Sequence, residues 1–264
     1  MAALNTLKER IEEYSNSTNF KLLKRLPIIV TLNGRSFKKT TSLLDKPFCP
    51  IFAEAMCGVM IKLSQEIDGT IFAYSFNDEI VLIARNDQTL DTQPWYDNRI
   101  QKIVSVAASI ATYEFNRIAK LNGMQIFGDP IFSASTFVVP NMMEAINLLI
   151  QKQNQAFHIA LSMACFYELI KKHKPETVEQ TLIEKSSQAK AEILFENCGI
   201  DINTLPQPFR RGFACYRAPK IINIDGDEKI KNKLTIDMEL PIFAQDHEFL
   251  GTIFKSGRDI IRAK

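Results

Sequence analysis

The sequence has few cysteines and none in a paired spacing. Its five cysteines lie far apart along the chain, and no C-x-x-C motif occurs. We interpret them as free thiols of a reducing compartment, which argues against a disulfide scaffold and a structural zinc site. The three histidines, His158, His173 and His247, are equally scattered. A histidine metal site or a Ser-His-Asp triad therefore has little support.

Several other signals are absent. No apolar run reaches the ~18 residues that a membrane helix needs, and the charged segment 1–15 lacks the core of a signal peptide. We therefore expect a cytoplasmic protein with no membrane partner. Neither G-x-x-x-x-G-K-[ST] nor G-x-G-x-x-G occurs, so a nucleotide would have to bind by another route. The net charge is only +2, so any basic surface must be local.

What the sequence does contain is an ordered series of apolar segments. Apolar residues make up 46% of the chain and 18 are Phe, enough for a sizeable core. After an amphipathic helix at 3–16, periodicity predicts, in order, strand 27–32, helix 51–66, strands 70–75 and 79–84, helix 98–120 and strand 131–139. This β-α-β-β-α-β order is that of ferredoxin-like and polymerase-palm domains.

The rest of the chain is predicted to be an extension of that core. A helix is predicted at 142–152, mainly helical structure to about 197, loop-like structure at 198–216, and possible edge strands at 217–264. We predict an α+β fold with a palm-like nucleotidyltransferase core and N-terminal helix in 1–150. A helical and mixed C-terminal extension, 151–264, packs on that core.

Two segments carry the polar groups that attract most interest. The first is Ile28–Phe37, where Asn33-Gly34 is predicted to end the strand in a turn. Gly34 would let backbone amides approach a triphosphate, and Arg35 and Ser36 would contact its oxygens. Positive charge would come from further residues nearby: Lys38, Lys39, Lys46, Arg99 and Lys102. The alternative interpretation is an ordinary strand-ending turn.

The second segment is 70–83, a hairpin predicted to bend at Asn77-Asp78. Neighbouring strand side chains point to opposite faces, so Asp78 and Glu79 can serve one site only if the backbone turns there. Paired strands that carry carboxylates are how palm-type polymerases hold two magnesium ions. The alternative interpretation is a solvated Asp-Glu turn.

Together these segments resemble motifs of the tRNA-His guanylyltransferase family. Leu32–Phe37 resembles its R-L-D-G-R-G-F motif, Phe72–Ile80 its A-Y-G-Q-S-D-E motif, and Pro130–Ser135 its P-x-F-D-A-R strand. The stretch from Leu182 to Gly212 is similar to the bacterial and archaeal guanylyltransferase-like branch. The motifs keep the family's order over roughly residues 20–217.

This resemblance implies a palm enzyme that works in the 3′-to-5′ direction. It would add a GTP-derived nucleotide to the 5′ end of tRNA or a related RNA, after activation with ATP or GTP, with two Mg²⁺ ions. The implied catalytic carboxylates are Asp78 and Glu79, and the implied metal ligands are Asn33, Asp78 and the carbonyl of Gly34. The implied nucleotide contacts are Asn33, Gly34, Arg35, Ser36, Phe37, Lys38, Lys46, Asn77 and Asp78. The family is commonly tetrameric, which implies a homotetramer or dimer.

The chain also departs from the family pattern. Asn33 stands where the family has a metal-binding aspartate, and Ser133 and Ser135 replace the Asp and Arg of the F-D-A-R strand. Gln151-Lys152-Gln153 stands roughly where the family has W-R-Q. An engineered Asp-to-Asn change would explain Asn33 alone, so we favour natural divergence. Two alternatives stay open: a nucleotide- or RNA-binding protein without catalysis, and a palm enzyme that makes a small nucleotide product.

Overall fold

The described part of the fold begins with a capped helix that buries none of its residues. The computed structural model describes residues 6–88, 91–224, 227–246 and 248–254. Helix α1 (Leu7–Asn16) starts where Thr6 and Glu9 form a reciprocal capping box, which satisfies two orphan backbone N–H groups. The predicted helix at 3–16 is thus confirmed from Leu7 onward, and its first residues lie outside the described part. None of its residues is buried.

The predicted palm-like order of elements is confirmed. The core elements are β1 (Ile28–Arg35), α2 (Phe37–Thr40), α3 (Pro50–Glu66), β2 (Thr70–Phe76), β3 (Glu79–Ala84), α4 (Ile100–Leu121) and β4 (Ile131–Val138). The later elements are α5 (Met142–Leu169), α6 (Pro175–Leu182), α7 (Ser187–Cys198), α8 (Gln207–Arg211), β5 (Phe213–Ile224) and β6 (Asp227–Asp237). Two 3₁₀ turns lie at Trp95–Asn98 and Ile202–Thr204, and residues 248–254 are helical.

Two boundaries differ from the sequence prediction. The helix predicted at 142–152 continues unbroken to Leu169, because apolar residues keep their helical spacing through Leu161 and Cys165. The stretch predicted as loop-like, 198–216, contains α8 and the first residues of β5. Its prolines lie at the start of α8, where proline is compatible with a helix.

In the described residues the strands form one antiparallel sheet in the order β4-β1-β3-β2-β5-β6. The first four strands reproduce the ferredoxin-like arrangement, and the α+β fold class is confirmed. β5 pairs with β2, with Tyr74 opposite Ala214, so the C-terminal part extends the same sheet. No helix in the described residues has both the length and the hydropathy to cross a membrane.

Each face of the sheet is covered by helices. Along β1, Val30 and Leu32 join the core under α3 and α4, whereas Ile29 joins the core under α5. The central strands are therefore buried on both sides, which explains why β1 and β3 read as continuous apolar runs. Small residues of α5, Ala156 and Ala160 among them, are almost fully buried on the second face.

A buried glutamine joins the C-terminal segment to α5. The Gln153 side chain is 4% exposed, and its Nε2 donates to the Pro241 carbonyl at 2.9 Å. Its Oε1 accepts from the Phe243 backbone N–H at 2.8 Å. Phe243 in turn packs against Phe72 and Tyr74 of β2. Gln153 therefore fixes the chain segment that closes the second core.

We predict that Gln153→Ala strongly destabilises the fold. The substitution removes the partner of the buried Phe243 N–H and of the partly buried Pro241 carbonyl, which costs about 3 kcal/mol, or roughly 5–10 °C in Tm. Thermal unfolding followed by circular dichroism measures the shift. Gln101→Ala, at an exposed position of α4, is the matched control and should change Tm little. Equal Tm values for the two variants would contradict the assigned role.

Candidate functional site

The register of β1 and β3 brings the two predicted segments together. Asn33 lies opposite Glu79, and the Gly34 backbone N–H donates to the Asp78 carbonyl at 3.0 Å. Asn77 has a positive φ of 49°, which asparagine tolerates, and it begins the tight connection from β2 to β3. The predicted bend at Asn77-Asp78 is confirmed.

The predicted turn at Asn33-Gly34 is wrong. β1 continues to Arg35, because β4 pairs with it as far as Arg35 opposite Ile131. The chain turns at Ser36, whose φ is 60°. Gly34 is nevertheless required, since a Cβ there would lie 2.4 Å from Cδ2 of the buried Phe37 ring. The Phe37 ring packs among other Phe rings at centroid distances of 5.0–6.1 Å: Phe52, Phe115 and Phe132.

A cavity of about 1200 Å³ opens beside this strand end. Its walls are the segment from α2 into α3, the β2–β3 turn, one side of α5, and α8. Five of the residues predicted to contact a nucleotide line it: Phe37, Lys38, Lys46, Asn77 and Asp78. The turn is attached to α5 through Asn77, whose Nδ2 lies 3.8 Å from the Met163 sulfur.

The other predicted site residues lie outside the cavity lining. Asn33, Arg35 and Ser36 are exposed at the end of β1, and the half-buried Gly34 lies between them. Glu79 points to the α5 face of the sheet. Of the additional basic residues, Arg99 and Lys102 lie at the start of α4 rather than in the lining.

One end of the cavity is suited to phosphate. α3 begins there at Pro50, without a side-chain cap, and Cys49, Phe52 and Ala53 line the wall. Free backbone N–H groups and the helix dipole make such an N-terminus attractive to anions. Sequence reasoning did not identify this helix start as part of a cradle. The available signal was a proline at the first helical position, directly after the Lys46-Pro47 stretch.

Lys46 adds a cation to the same end. Its Nζ donates to Thr41 Oγ1 at 3.2 Å. Partial burial lowers the pKa of the Lys46 ammonium, and the nearby Cys49 thiol opposes that shift. A bound phosphate would favour the charged ammonium and raise its pKa.

Asp78 places a carboxylate on the cavity wall. Burial raises the pKa of the Asp78 carboxyl, and the negative charge of Glu79 raises it further, whereas a backbone N–H bond lowers it. Asp45 and Glu179 also line the cavity. Within the described ranges, no three His, Cys, Asp or Glu residues lie close enough to form a metal cluster.

The polar side chains on the α5 face pair with one another. Lys152 of α5 reaches Glu79, with Nζ 2.5 Å from Oε1. Ser135 shares a hydrogen bond of 2.7 Å with Thr31, and Ser133 Oγ donates to the Asn33 carbonyl at 3.3 Å. The two serines that depart from the family motif thus have partners on β1.

The oxygen donors at the strand end fit a magnesium ion whose other ligands come from a bound phosphate. Asp78 supplies a carboxylate, and Asn33 and Gly34 offer neutral oxygens nearby. Proteins usually bind Mg²⁺ through one or two carboxylates together with substrate phosphates. The residues present therefore suit an ion that arrives with a triphosphate.

We predict that Asp78→Asn raises stability while it weakens Mg²⁺-dependent GTP binding. Because the pKa of Asp78 is raised in the fold, ionising it near neutral pH opposes folding, and the wild type loses this penalty as pH falls through the raised pKa. The Tm gain should therefore be present at pH 7 and vanish near pH 3. Thermal scans across pH measure it. An equal gain at both pH values would contradict the assignment.

Comparisons with known proteins show which family the chain resembles. The family model described as tRNAHis guanylyltransferase matches residues 8–140, and the model of the Thg1 C terminal domain matches residues 151–248. A tRNA(His) guanylyltransferase 1 from Arabidopsis thaliana is 26% identical over 229 residues, covering 82% of this chain and 38% of that protein. A probable tRNA(His) guanylyltransferase from Dictyostelium discoideum is 25% identical over 228 residues, covering 82% and 86%.

Solved structures show the same likeness. A bacterial tRNA(HIS) guanylyltransferase (Thg1)-like protein in complex with ATP has a TM-score of 0.80 and 26% identity, covering 94% of this chain and 99% of that one. A bacterial Thg1-like protein in complex with GTP has a TM-score of 0.74 at the same identity and coverage. Because the family models match most of the sequence, the chain belongs to the tRNA-His guanylyltransferase family.

Proposed function

We propose that this protein adds a GTP-derived nucleotide to the 5′ end of tRNA or a related RNA. One observation carries the proposal. The turn that presents Asp78 borders the same cavity as the N-terminus of α3 and Lys46. A carboxylate for a metal ion and a cationic wall for phosphate are the two parts that phosphoryl transfer needs. The curated relatives are described as tRNA(His) guanylyltransferases, and two structural relatives hold ATP or GTP.

The residues of the cavity divide the work. Lys38, Lys46 and the N–H groups at the start of α3 would bind the triphosphate. Phe48 and Phe52 line the same cavity and offer aromatic faces for a base. Asp78 would hold magnesium through its ionised carboxylate. The side-chain oxygen of Asn33 and the Gly34 carbonyl would be further ligands. Magnesium, when bound, would neutralise charge on the phosphoryl groups.

The bonds that change follow from the family reaction. The 3′-hydroxyl oxygen of GTP attacks the α-phosphorus of a 5′-triphosphorylated or adenylylated RNA. A phosphodiester bond forms, and pyrophosphate or AMP leaves with the bonding electrons. The role of this chain is to align the hydroxyl and the phosphorus and to keep water out of the cavity. The family reaction implies two Mg²⁺ ions. We propose that the second ion binds here only when a carboxylate besides that of Asp78 is free to hold it.

A second function is favoured by one specific feature. Asn33 is neutral and Glu79 is paired with Lys152. Of residues 33, 78 and 79, Asp78 is therefore the one that offers a metal ion an unpaired negative charge. A protein in that state could bind a nucleotide or RNA without catalysis. Calorimetry with GTP separates the two functions, since Mg²⁺-independent binding supports the non-catalytic one.

We also propose a cytoplasmic, oligomeric protein. All five cysteines are free, as predicted for a reducing compartment. Three apolar side chains of α1 are exposed to 56–67%: Leu7, Ile11 and Tyr14. They would be covered in a homodimer or homotetramer.

We predict that the wild-type protein transfers label from [α-³²P]GTP to a 5′-truncated, 5′-triphosphorylated tRNA in Mg²⁺. Asp78→Asn should lower the rate by at least about 100-fold, because the metal loses its charged ligand. Asp129→Asn, at an exposed loop position, is the matched control and should retain activity. A reaction without RNA tests for a small nucleotide product. No transfer by the wild type, or equal rates in both variants, would contradict the proposal.

We predict that Asn33→Asp strengthens metal binding. The added carboxylate lies beside the Asp78 backbone, and about 1.4 kcal/mol of extra attraction corresponds to about tenfold lower Mg²⁺ half-saturation in the transfer assay. Asn19→Asp, at an exposed position before β1, adds the same charge elsewhere and should not shift the half-saturation. Identical Mg²⁺ curves for Asn33→Asp and the wild type would count against Asn33 as a ligand position.

A further inference from the structure

We propose that Lys152 is a fixed cation that takes the electrostatic place of one divalent ion in this site. The ammonium group of Lys152 holds Glu79 neutralised, so the strand end needs only the ion that accompanies the triphosphate. The role given to Lys152 rests on the proposed function. The electrostatic coupling between residues 33, 79 and 152 does not depend on whether the protein is catalytic.

The geometry supports this assignment. Asn33 and Glu79 are direct partners across β1 and β3. Directly opposite side chains in an antiparallel pair have Cβ atoms about 5 Å apart. Lys152 reaches Glu79 from α5 at 2.5 Å, and the two side chains are only 20% and 27% exposed. The pair is thus shielded from much of the screening that weakens surface ion pairs.

The charges at positions 33, 79 and 152 support the same role for Lys152. With an aspartate at position 33, two carboxylates would face each other, and like charges directly opposite destabilise a strand pair. A divalent cation between them would relieve that repulsion. In this chain the amide of Asn33 carries no charge, and Lys152 cancels the charge of Glu79. The group of Asn33, Glu79 and Lys152 is therefore neutral without metal, and the negative charge at this strand end comes from Asp78.

The consequence is a specific dependence of one substitution on the other. Without nucleotide, an aspartate at position 33 would gain little as a metal ligand while Lys152 is paired with its neighbour Glu79. Removing Lys152 alone would free Glu79, but would leave it facing a neutral amide. Only the two changes together create facing carboxylates that can bind a divalent ion before any nucleotide arrives.

The test is a double-mutant cycle read out as metal binding. Wild type, Asn33→Asp, Lys152→Met and the double variant are titrated with Mn²⁺ without nucleotide, and free Mn²⁺ is measured by electron paramagnetic resonance. We expect weak binding in the wild type and both single variants, and at least tenfold tighter binding of one ion in the double variant than the singles predict. Lys171→Met, which removes a lysine paired with Glu168 at the exposed end of α5, replaces Lys152→Met in the control cycle.

Several outcomes would overturn the proposal. These are tight Mn²⁺ binding in Asn33→Asp alone, additive effects in the double variant, or an equal gain with Lys171→Met. If circular dichroism shows that Lys152→Met does not fold, Lys152→Gln replaces it. The double variant Asn33→Asp/Lys152→Arg must bind Mn²⁺ as weakly as the wild type does. The titration contains no nucleotide or RNA, so its result is independent of whether the protein transfers nucleotides.

Discussion

The pairing of β1 with β3 is the constraint on which the site depends. The pairing of Asn33 with Glu79 and a backbone hydrogen bond from the Gly34 N–H to the Asp78 carbonyl join the ends of the two polar segments. A slip of one residue would move every side chain of β1 to the opposite face of the sheet. Such a slip would move Val30 and Leu32 from the core under α3 and α4 to the core under α5, and Ile29 the other way, so the packing of the two cores fixes the register of the site.

The C-terminal part of the chain completes what the palm-like core begins. α5 and α8 form walls of the cavity, and β5 lies beside β2 on the sheet. Gly212, with φ of 71°, lets the chain pass where a Cβ would lie 2.5 Å from the Ser75 carbonyl oxygen. Gln153 joins the same region through one buried and one partly buried hydrogen bond. The candidate site therefore lies between the two segments that the family models match, and both segments contribute strands to one sheet.

The sequence was most informative where periodicity and turn chemistry agreed. The apolar runs at β1 and β3, and Asn77-Asp78 between strands, were sufficient to predict the hairpin and the palm-like order. The strand end at Asn33-Gly34 was wrong, because a local glycine signal was outweighed by pairing with β4, which lies about 100 residues away in the chain. The Lys152–Glu79 ion pair joins α5 to β3, and no local pattern reveals a contact of that range.

The cavity end of α3 shows a similar limit. Lys46 was predicted as a triphosphate contact, but the helix N-terminus that shares the wall with it depends on how the 41–49 segment folds back. The candidate site combines a neutral amide at Asn33, the half-buried carboxylate of Asp78 and the half-buried Lys152–Glu79 ion pair. That combination favours an ion delivered by the nucleotide over ions bound in advance.

The most direct test is a crystal structure of the protein with GTP and Mn²⁺, located by its anomalous scattering. We predict one manganese ion bonded to an Asp78 carboxylate oxygen and to a phosphate oxygen, with the triphosphate against the N-terminus of α3. A triphosphate bound elsewhere, or manganese that does not touch Asp78, would contradict it.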